Sequence, residues 1–117
     1  MVYKMNIQIF GTNKCFDSKK AMRYFSERGI KYQFVDMKEK GLSKGELSSV
    51  MQAVGGLDRM IDENCKDKNT LALIKYLSED DKIEKVLENQ NLLKTPIVRN
   101  GKKATVGYCP EVWKQWD

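Results

Sequence analysis

The sequence predicts one α/β domain, spanning residues 1–117, with a four-stranded mixed sheet and a helical block inserted near residues 42–92. A strand, a helix and a second strand follow one another within residues 5–36, which indicates a βαβ unit with parallel strands. Near the other end, two apolar segments flank Asn100-Gly101, a tight-turn signal that indicates an antiparallel hairpin. A chain of 117 residues is the usual size of one domain.

The βαβ unit is predicted from the spacing of its apolar residues. Residues 5–10 alternate between apolar and polar side chains, as a half-buried strand does. Residues 16–28 have helical spacing and are followed by Gly29, a residue typical of helix C-termini. Residues 32–36 alternate again and are rich in aromatic and β-branched side chains, which predicts the second strand.

The middle block is predicted to be helical. Ser43 and Glu46 fit a capping box and begin a helix that ends before Gly55-Gly56. Ser78 caps a later helix, which is predicted at 79–89. Two further helices of the block are predicted at 57–63 and 70–77.

The C-terminal part is predicted as a hairpin and a helix. Its strands cover residues 95–99 and 102–106, with Pro96 at the first strand's beginning, where proline is tolerated. A last helix covers about residues 110–116, with Pro110 in its first turn.

Composition narrows the function classes. Hydrophobic residues make up 41% and charged residues 32%, an ordinary soluble balance. No apolar run is long enough to span a membrane, and the segment Met1-Val2-Tyr3-Lys4 does not resemble a signal peptide, so a cytoplasmic location is expected. The net charge of +5 suits an anionic ligand or an acidic partner. Basic and acidic residues are interspersed, so no direct binding of nucleic acid is expected.

The cysteine and histidine counts exclude several site types. The three cysteines lack the spacing of a disulfide framework or a zinc site, and no histidine is present. No metal site is therefore expected, and catalysis by a histidine base is excluded.

Cys15 lies where the first strand ends and the first helix begins. The free N–H groups of a helix N-terminus stabilise an anion, and the thiolate is the reactive form of cysteine. Lys14 and Lys19 add positive charge nearby, whereas burial behind Phe16 and the charge of Asp17 would oppose ionisation. A low-pKa nucleophile is the functional interpretation; a small buried hydrophobic residue is the alternative.

This order of elements, with a cysteine after strand one and a Thr-Pro before strand three, resembles the thioredoxin fold. The resemblance is more specific to the arsenate reductase (ArsC)/Spx family. Its motifs are the segment around Cys15, Val35-Asp36 with the loop after it, the helical insertion, and Leu93-Lys94-Thr95-Pro96-Ile97-Val98 followed by Val106-Gly107-Tyr108.

The resemblance implies a thiol-dependent reductase with Cys15 as the nucleophile. It implies a cis bond before Pro96, which would bring Thr95 close to Cys15 and let its backbone bind a thiol ligand. Glutathione or a glutaredoxin-like protein is the expected reductant, glutathione being a co-substrate and no cofactor being tightly bound. The residues expected to stabilise the thiolate or the substrate are Asn13, Lys14, Ser18, Lys19, Lys94, Thr95 and Pro96.

The chain departs from the family pattern at the arginines that hold arsenate. Thr95 and Cys109 stand at two of these positions, and near the third Arg59 is present but Glu63 lies closer to the expected place. The resemblance implies arsenate reduction that depends on glutathione or a glutaredoxin. Threonine cannot supply the planar fork of arginine, so the residues present leave open whether arsenate is a substrate.

The second half of the cysteine motif also differs, since Ser18 cannot form a disulfide with Cys15. An external thiol would then resolve a mixed disulfide. Cys109, and Cys65 in a loop expected to be exposed, are the candidate internal resolving residues. The alternative function is a non-enzymatic Spx-like regulator that binds the RNA polymerase α subunit.

Overall fold

The computed structural model describes residues 6–116. The predicted start of the first strand at Met5 and the segment of residues 1–4 lie outside this range. Four strands form one sheet in the order β2-β1-β3-β4. The strands are β1 (Ile7–Gly11), β2 (Tyr32–Asp36), β3 (Ile97–Asn100) and β4 (Lys103–Val106).

The sheet is mixed, as predicted. Strand β1 pairs parallel with β2 and antiparallel with β3, which in turn pairs antiparallel with β4. The hairpin turn lies one residue later than expected, because Asn100 pairs with Lys103 and leaves Gly101-Lys102 as the loop. Gly101 has φ of +63°, which a glycine adopts without strain at the first loop position of a hairpin.

Within residues 6–116, five helices cover the two faces of the sheet. They are α1 (Phe16–Glu27), α2 (Lys44–Val54), α3 (Lys68–Ile74), α4 (Glu79–Glu88) and α5 (Pro110–Trp113). Short 3-10 turns span Leu57–Met60, Gln90–Leu92 and Lys114–Trp116. The predicted helices at 57–63 and 110–116 are therefore partly 3-10. The capping box of Ser43 and Glu46 at the start of α2 is confirmed.

Alternation along the strands builds a core on each face. Ile7, Ile9 and Val98 pack with α1 and α5, where Phe25 and Trp113 are buried. The opposite face belongs to the helical block. There, the buried residues include Phe10, Leu47, Val50, Met60, Ile74, Val86 and Ile97.

The first turn of α1 is fixed directly against β1. Ser18 is fully buried, and a Cβ added to Gly11 would approach the Ser18 Cβ to 2.8 Å. Only a residue without a side chain fits this contact, so Gly11 sets how closely the start of α1 approaches the sheet. Cys15 precedes that turn. No helix in the described range has both the length and the apolar character required to cross a bilayer.

Candidate active site

Cys15 is the N-cap residue of α1, at the end of the sheet where β1 finishes. Its N–H donates to the carbonyl of Thr12 over 3.2 Å, which closes the turn between strand and helix. The side chain is half-buried, so the sulfur can meet both the protein and a ligand. Phe16 does not cover it, because the Phe16 side chain is 80% exposed. Phe16 therefore does not oppose the ionisation of Cys15 by burying it.

Thr95 is the residue that the fold brings to this sulfur. Its hydroxyl donates a hydrogen bond to Cys15 Sγ over 3.1 Å, and Sγ lies 3.8 Å from the Thr95 carbonyl oxygen. The Thr95–Pro96 peptide bond is cis, and Pro96 is buried. The chain therefore passes Cys15 immediately before it enters β3.

The ionisation of Cys15 is controlled by hydrogen bonds. Partial burial raises its pKa, but the hydroxyls of Ser18 and Thr95 and the backbone N–H groups of Ser18 and Asp17 lower it by more. The pKa of Cys15 consequently lies below its ordinary value. The lysines are not among the causes, contrary to the expectation from the sequence, because Lys14 and Lys19 are exposed to solvent.

Ser18 differs from the other groups that lower the pKa of Cys15. Its hydroxyl is buried and makes no hydrogen bond of standard geometry among residues 6–116, yet it lies close enough to the sulfur to lower the pKa of Cys15. A buried hydroxyl without a partner is unfavourable, by about 1–3 kcal/mol. A thiolate at Cys15 is the acceptor that would relieve this cost.

A cleft of about 360 Å³ opens beside the cysteine. Thr12 and Thr95, which both contact Cys15 through hydrogen bonds, form its inner edge. The other lining residues are Met37, Lys38, Asp62, Gln90, Asn91 and Leu93. Among residues 6–116, Lys38 is the only cationic residue that lines the cleft, and Asp62 is the only carboxylate.

The helical block contributes one wall of this cleft through backbone pairing. Ile61 forms a bridge with Leu93, and the Lys94 N–H donates to the Met60 carbonyl over 2.7 Å. Asp62 is thereby held next to the segment that leads to Thr95. No local sequence pattern signals this long-range pairing. Asp62, Gln90 and Asn91 could therefore not be predicted as residues that line the cleft.

The other residues predicted to stabilise the thiolate or the substrate are not among the hydrogen-bond partners of the Cys15 sulfur in the described range. Asn13, Lys14, Lys19 and Lys94 are exposed. Arg59 is exposed as well, and its side chain lies against Gly55, not among the residues that line the cleft. In the part of the chain that the structure describes, no arginine lines the cleft.

Cys65 and Cys109 are both free thiols with partners of their own. Cys65 is buried, with 8% of its surface exposed, and donates to the Asn91 carbonyl over 3.3 Å. Its neighbours Glu63, Asn64 and Lys66 are exposed, so the polar loop is confirmed but the expected exposure of Cys65 itself is wrong. Cys109 is half-buried at the start of α5 and donates to the Val106 carbonyl over 3.4 Å. Burial, together with the charge of Glu111, raises the pKa of Cys109.

Comparison with known proteins agrees with this architecture. The model of the ArsC family matches residues 10–116. This chain belongs to the ArsC family. The arsenate reductase of Vibrio cholerae superposes with a TM-score of 0.83 at 25% sequence identity, over 97% of this chain and 98% of that one. The fold is therefore the thioredoxin-like fold of this family.

Two curated relatives extend the comparison. The chain is 30% identical over 114 residues to the global transcriptional regulator Spx 2 of Oceanobacillus iheyensis, which covers 96% of this chain and 84% of that one. It is also 27% identical over 116 residues to the uncharacterized protein YusI of Bacillus subtilis, covering 95% of this chain and 98% of that one. The proteins similar to this chain thus include one named as an arsenate reductase and one named as a transcriptional regulator.

Proposed function

We propose that this ArsC-family protein is a thiol–disulfide oxidoreductase with one nucleophilic cysteine, Cys15. The observation that carries the proposal is the set of donors around its sulfur: the hydroxyls of Thr95 and Ser18 and two backbone N–H groups at the start of α1. These groups favour the thiolate, which is the attacking species in disulfide exchange.

The reaction needs two exchanges. The Cys15 thiolate attacks one sulfur of a substrate disulfide, forms a mixed disulfide and releases the other half as a thiolate. An external thiolate then attacks the mixed disulfide, forms a new disulfide and returns Cys15 as a thiolate. Ser18 has no sulfur for an internal disulfide, which favours an external reductant. Glutathione or a glutaredoxin-like protein is the reductant that we propose.

The cleft favours disulfides over arsenate as substrates. An oxyanion is best held by the bidentate fork of arginine, and the lining residues include no arginine. Lys38 and Asp62 instead offer one charge of each sign, which suits a zwitterionic thiol such as glutathione. The likeness to the arsenate reductase of Vibrio cholerae supports the reductase class.

A parallel assay tests this proposal. Reduction of arsenate and of a glutathione mixed disulfide is measured with glutathione as the electron source, for the wild type, Cys15→Ser and Cys109→Ser. We expect turnover of the mixed disulfide, little arsenate reduction, loss of turnover in Cys15→Ser and retained turnover in Cys109→Ser. Disulfide turnover that survives Cys15→Ser would contradict the assignment, and arsenate as the better substrate would contradict the substrate class.

The relative Spx 2 supports a second candidate, a regulator that binds the RNA polymerase α subunit without turnover. Both candidates depend on the redox state of Cys15. The reductase turns over a disulfide, whereas the regulator binds the polymerase subunit without turnover. A pull-down with purified α subunit, combined with the assay above, separates them. Capture of the subunit together with no disulfide turnover would favour the regulator.

A further inference from the structure

A groove of about 460 Å³ lies along α1 and α5, outside the cleft described above. It contains four cationic side chains and one carboxylate. Its lining residues are Lys20, Arg23, Tyr24, Glu27, Arg28, Tyr108, Pro110 and Lys114. Within residues 6–116, none of these cations lies within 4.0 Å of a carboxylate oxygen. The groove therefore presents uncompensated positive charge.

One end of the groove lies near Cys15. The Gly107 N–H donates to the Pro96 carbonyl over 2.8 Å, which brings Tyr108 to the end of the sheet where Thr95 contacts the nucleophile. Lys20 lies over the Tyr108 ring, 5.5 Å from its centroid. From Lys20 the groove extends along α1 to Arg28, about 12 Å at the rise of an α-helix.

Three exposed apolar side chains lie in or beside the segments that line the groove. Phe16 is adjacent to Cys15, is 80% exposed and shares a helix face with Lys20 four residues later. Tyr108 and Val112 are 41% and 43% exposed. Exposed aromatic side chains beside arginine are typical of the central contacts in protein–protein interfaces.

The groove is less suited to nucleic acid. Tyr24 is 6% exposed, and the Arg28 guanidinium lies 3.7 Å from its ring centroid, so its face is closed to a base. Lys20 covers one face of Tyr108.

We infer that this surface docks an acidic segment of a partner protein and presents that partner's sulfur to Cys15. The inference rests on the proposed function and specifies its partner. The partner's disulfide is attacked by the Cys15 thiolate, which releases the second half as a thiolate, and an external thiol completes the cycle. The overall charge of +5 adds long-range attraction to an acidic partner.

The test uses two peptides that share one cysteine, present as its mixed disulfide with thionitrobenzoate. One carries acidic residues beside the cysteine, and the other carries neutral residues of similar size. The release of coloured thionitrobenzoate gives the rate of attack by Cys15. We expect the acidic peptide to react about ten-fold faster at low ionic strength, and this advantage to shrink as salt is added.

Charge reversal in the groove should remove the preference. Arg23→Glu/Lys114→Glu changes two exposed cations that line the groove. Lys66→Glu/Lys102→Glu changes the net charge equally at two exposed positions away from it. We expect the acidic peptide to lose most of its advantage in the first variant and to keep most of it in the second. Equal loss in both variants would mean that only net charge acts, which would contradict a docking site.

Binding is measured separately from reaction, so the two proposals fail differently. A fluorescent acidic peptide with serine in place of its cysteine reports docking by anisotropy. Binding that depends on Arg23 and Lys114, with no attack on either disulfide, would support the docking surface and contradict the proposed oxidoreductase activity. Attack on both disulfides at equal rates, with no binding of the acidic peptide, would contradict the surface alone. Tighter binding of a single-stranded oligonucleotide than of the acidic peptide would also contradict it.

Discussion

Thr95 donates a hydrogen bond to the sulfur of Cys15 across 3.1 Å, although 80 residues separate the two in the sequence. The contact joins the entry into β3 to the start of α1. It depends on the parallel and antiparallel pairing of the central strand β1, which brings both segments to the same end of the sheet. The reactivity of Cys15 therefore depends on a contact that only the folded chain makes.

Thr95→Val should raise the pKa of Cys15 and slow its attack at neutral pH. The valine keeps the shape and removes the hydroxyl, whose hydrogen bond is worth about 0.5–1.5 kcal/mol. Without this donor, the pKa of Cys15 should move up toward its ordinary value. The pH dependence of alkylation measures it. Thr95→Ser, which keeps the hydroxyl, is the control, and an unchanged midpoint in Thr95→Val would contradict the role of the hydroxyl.

Ser18→Ala should separate stability from reactivity. The substitution removes a buried hydroxyl that has no standard partner in the described residues while Cys15 is a neutral thiol. At a pH well below the pKa of Cys15, the free energy of unfolding should therefore stay constant or increase by about 1 kcal/mol. The pKa of Cys15 should rise, because Ser18 lowers it. Ser26→Ala, at an exposed position of the same helix, should change neither quantity. A large loss of stability in Ser18→Ala would show that the hydroxyl has a structural partner.

Gly11→Ala should destabilise the fold and disturb the nucleophile together. The new Cβ would meet the Ser18 hydroxyl and approach the Ser18 Cβ to 2.8 Å, so α1 must shift from β1. Overpacking of this kind costs about 1–3 kcal/mol. Urea unfolding measures the loss.

Gly45→Ala is the matched control for this change. Gly45 lies in α2, and a Cβ there would meet no atom within 4 Å. Alanine is the better helix former, so this variant should gain about 0.5–1 kcal/mol. Equal effects of the two substitutions would contradict the close contact between Gly11 and Ser18.

The sheet and most helices could be predicted because their signals are local. Alternation set the bounds of β2, and capping residues set the starts of α2 and α4. The cleft could not be predicted, because Asp62 reaches it through the pairing of Ile61 with Leu93, which no local pattern indicates. Cys65 was misjudged for a similar reason: its neighbours are polar, but the backbone of Asn91 encloses it.

The source of the Cys15 pKa was also predicted only in part. The lowering of the pKa could be predicted because Cys15 lies immediately before a helix. The lysines were expected to contribute, yet their long side chains extend into solvent, where water screens their charge. Short, fixed donors such as Thr95 and Ser18 act instead, and only the folded chain shows that both surround one sulfur.

Alkylation by iodoacetamide at graded pH, followed by peptide mass spectrometry, tests the central claim that Cys15 is an activated thiolate. The pKa of Cys15 is lowered, so its reaction should reach half-maximal rate at a lower pH than free glutathione in the same buffer. The pKa of Cys109 is raised, so its midpoint should lie higher, and buried Cys65 should react slowly because the reagent cannot reach it. Alkylation of Cys15 first, with the lowest midpoint of the three, is the predicted result. A Cys15 midpoint at or above that of Cys109 would contradict the assignment of Cys15 as the nucleophile.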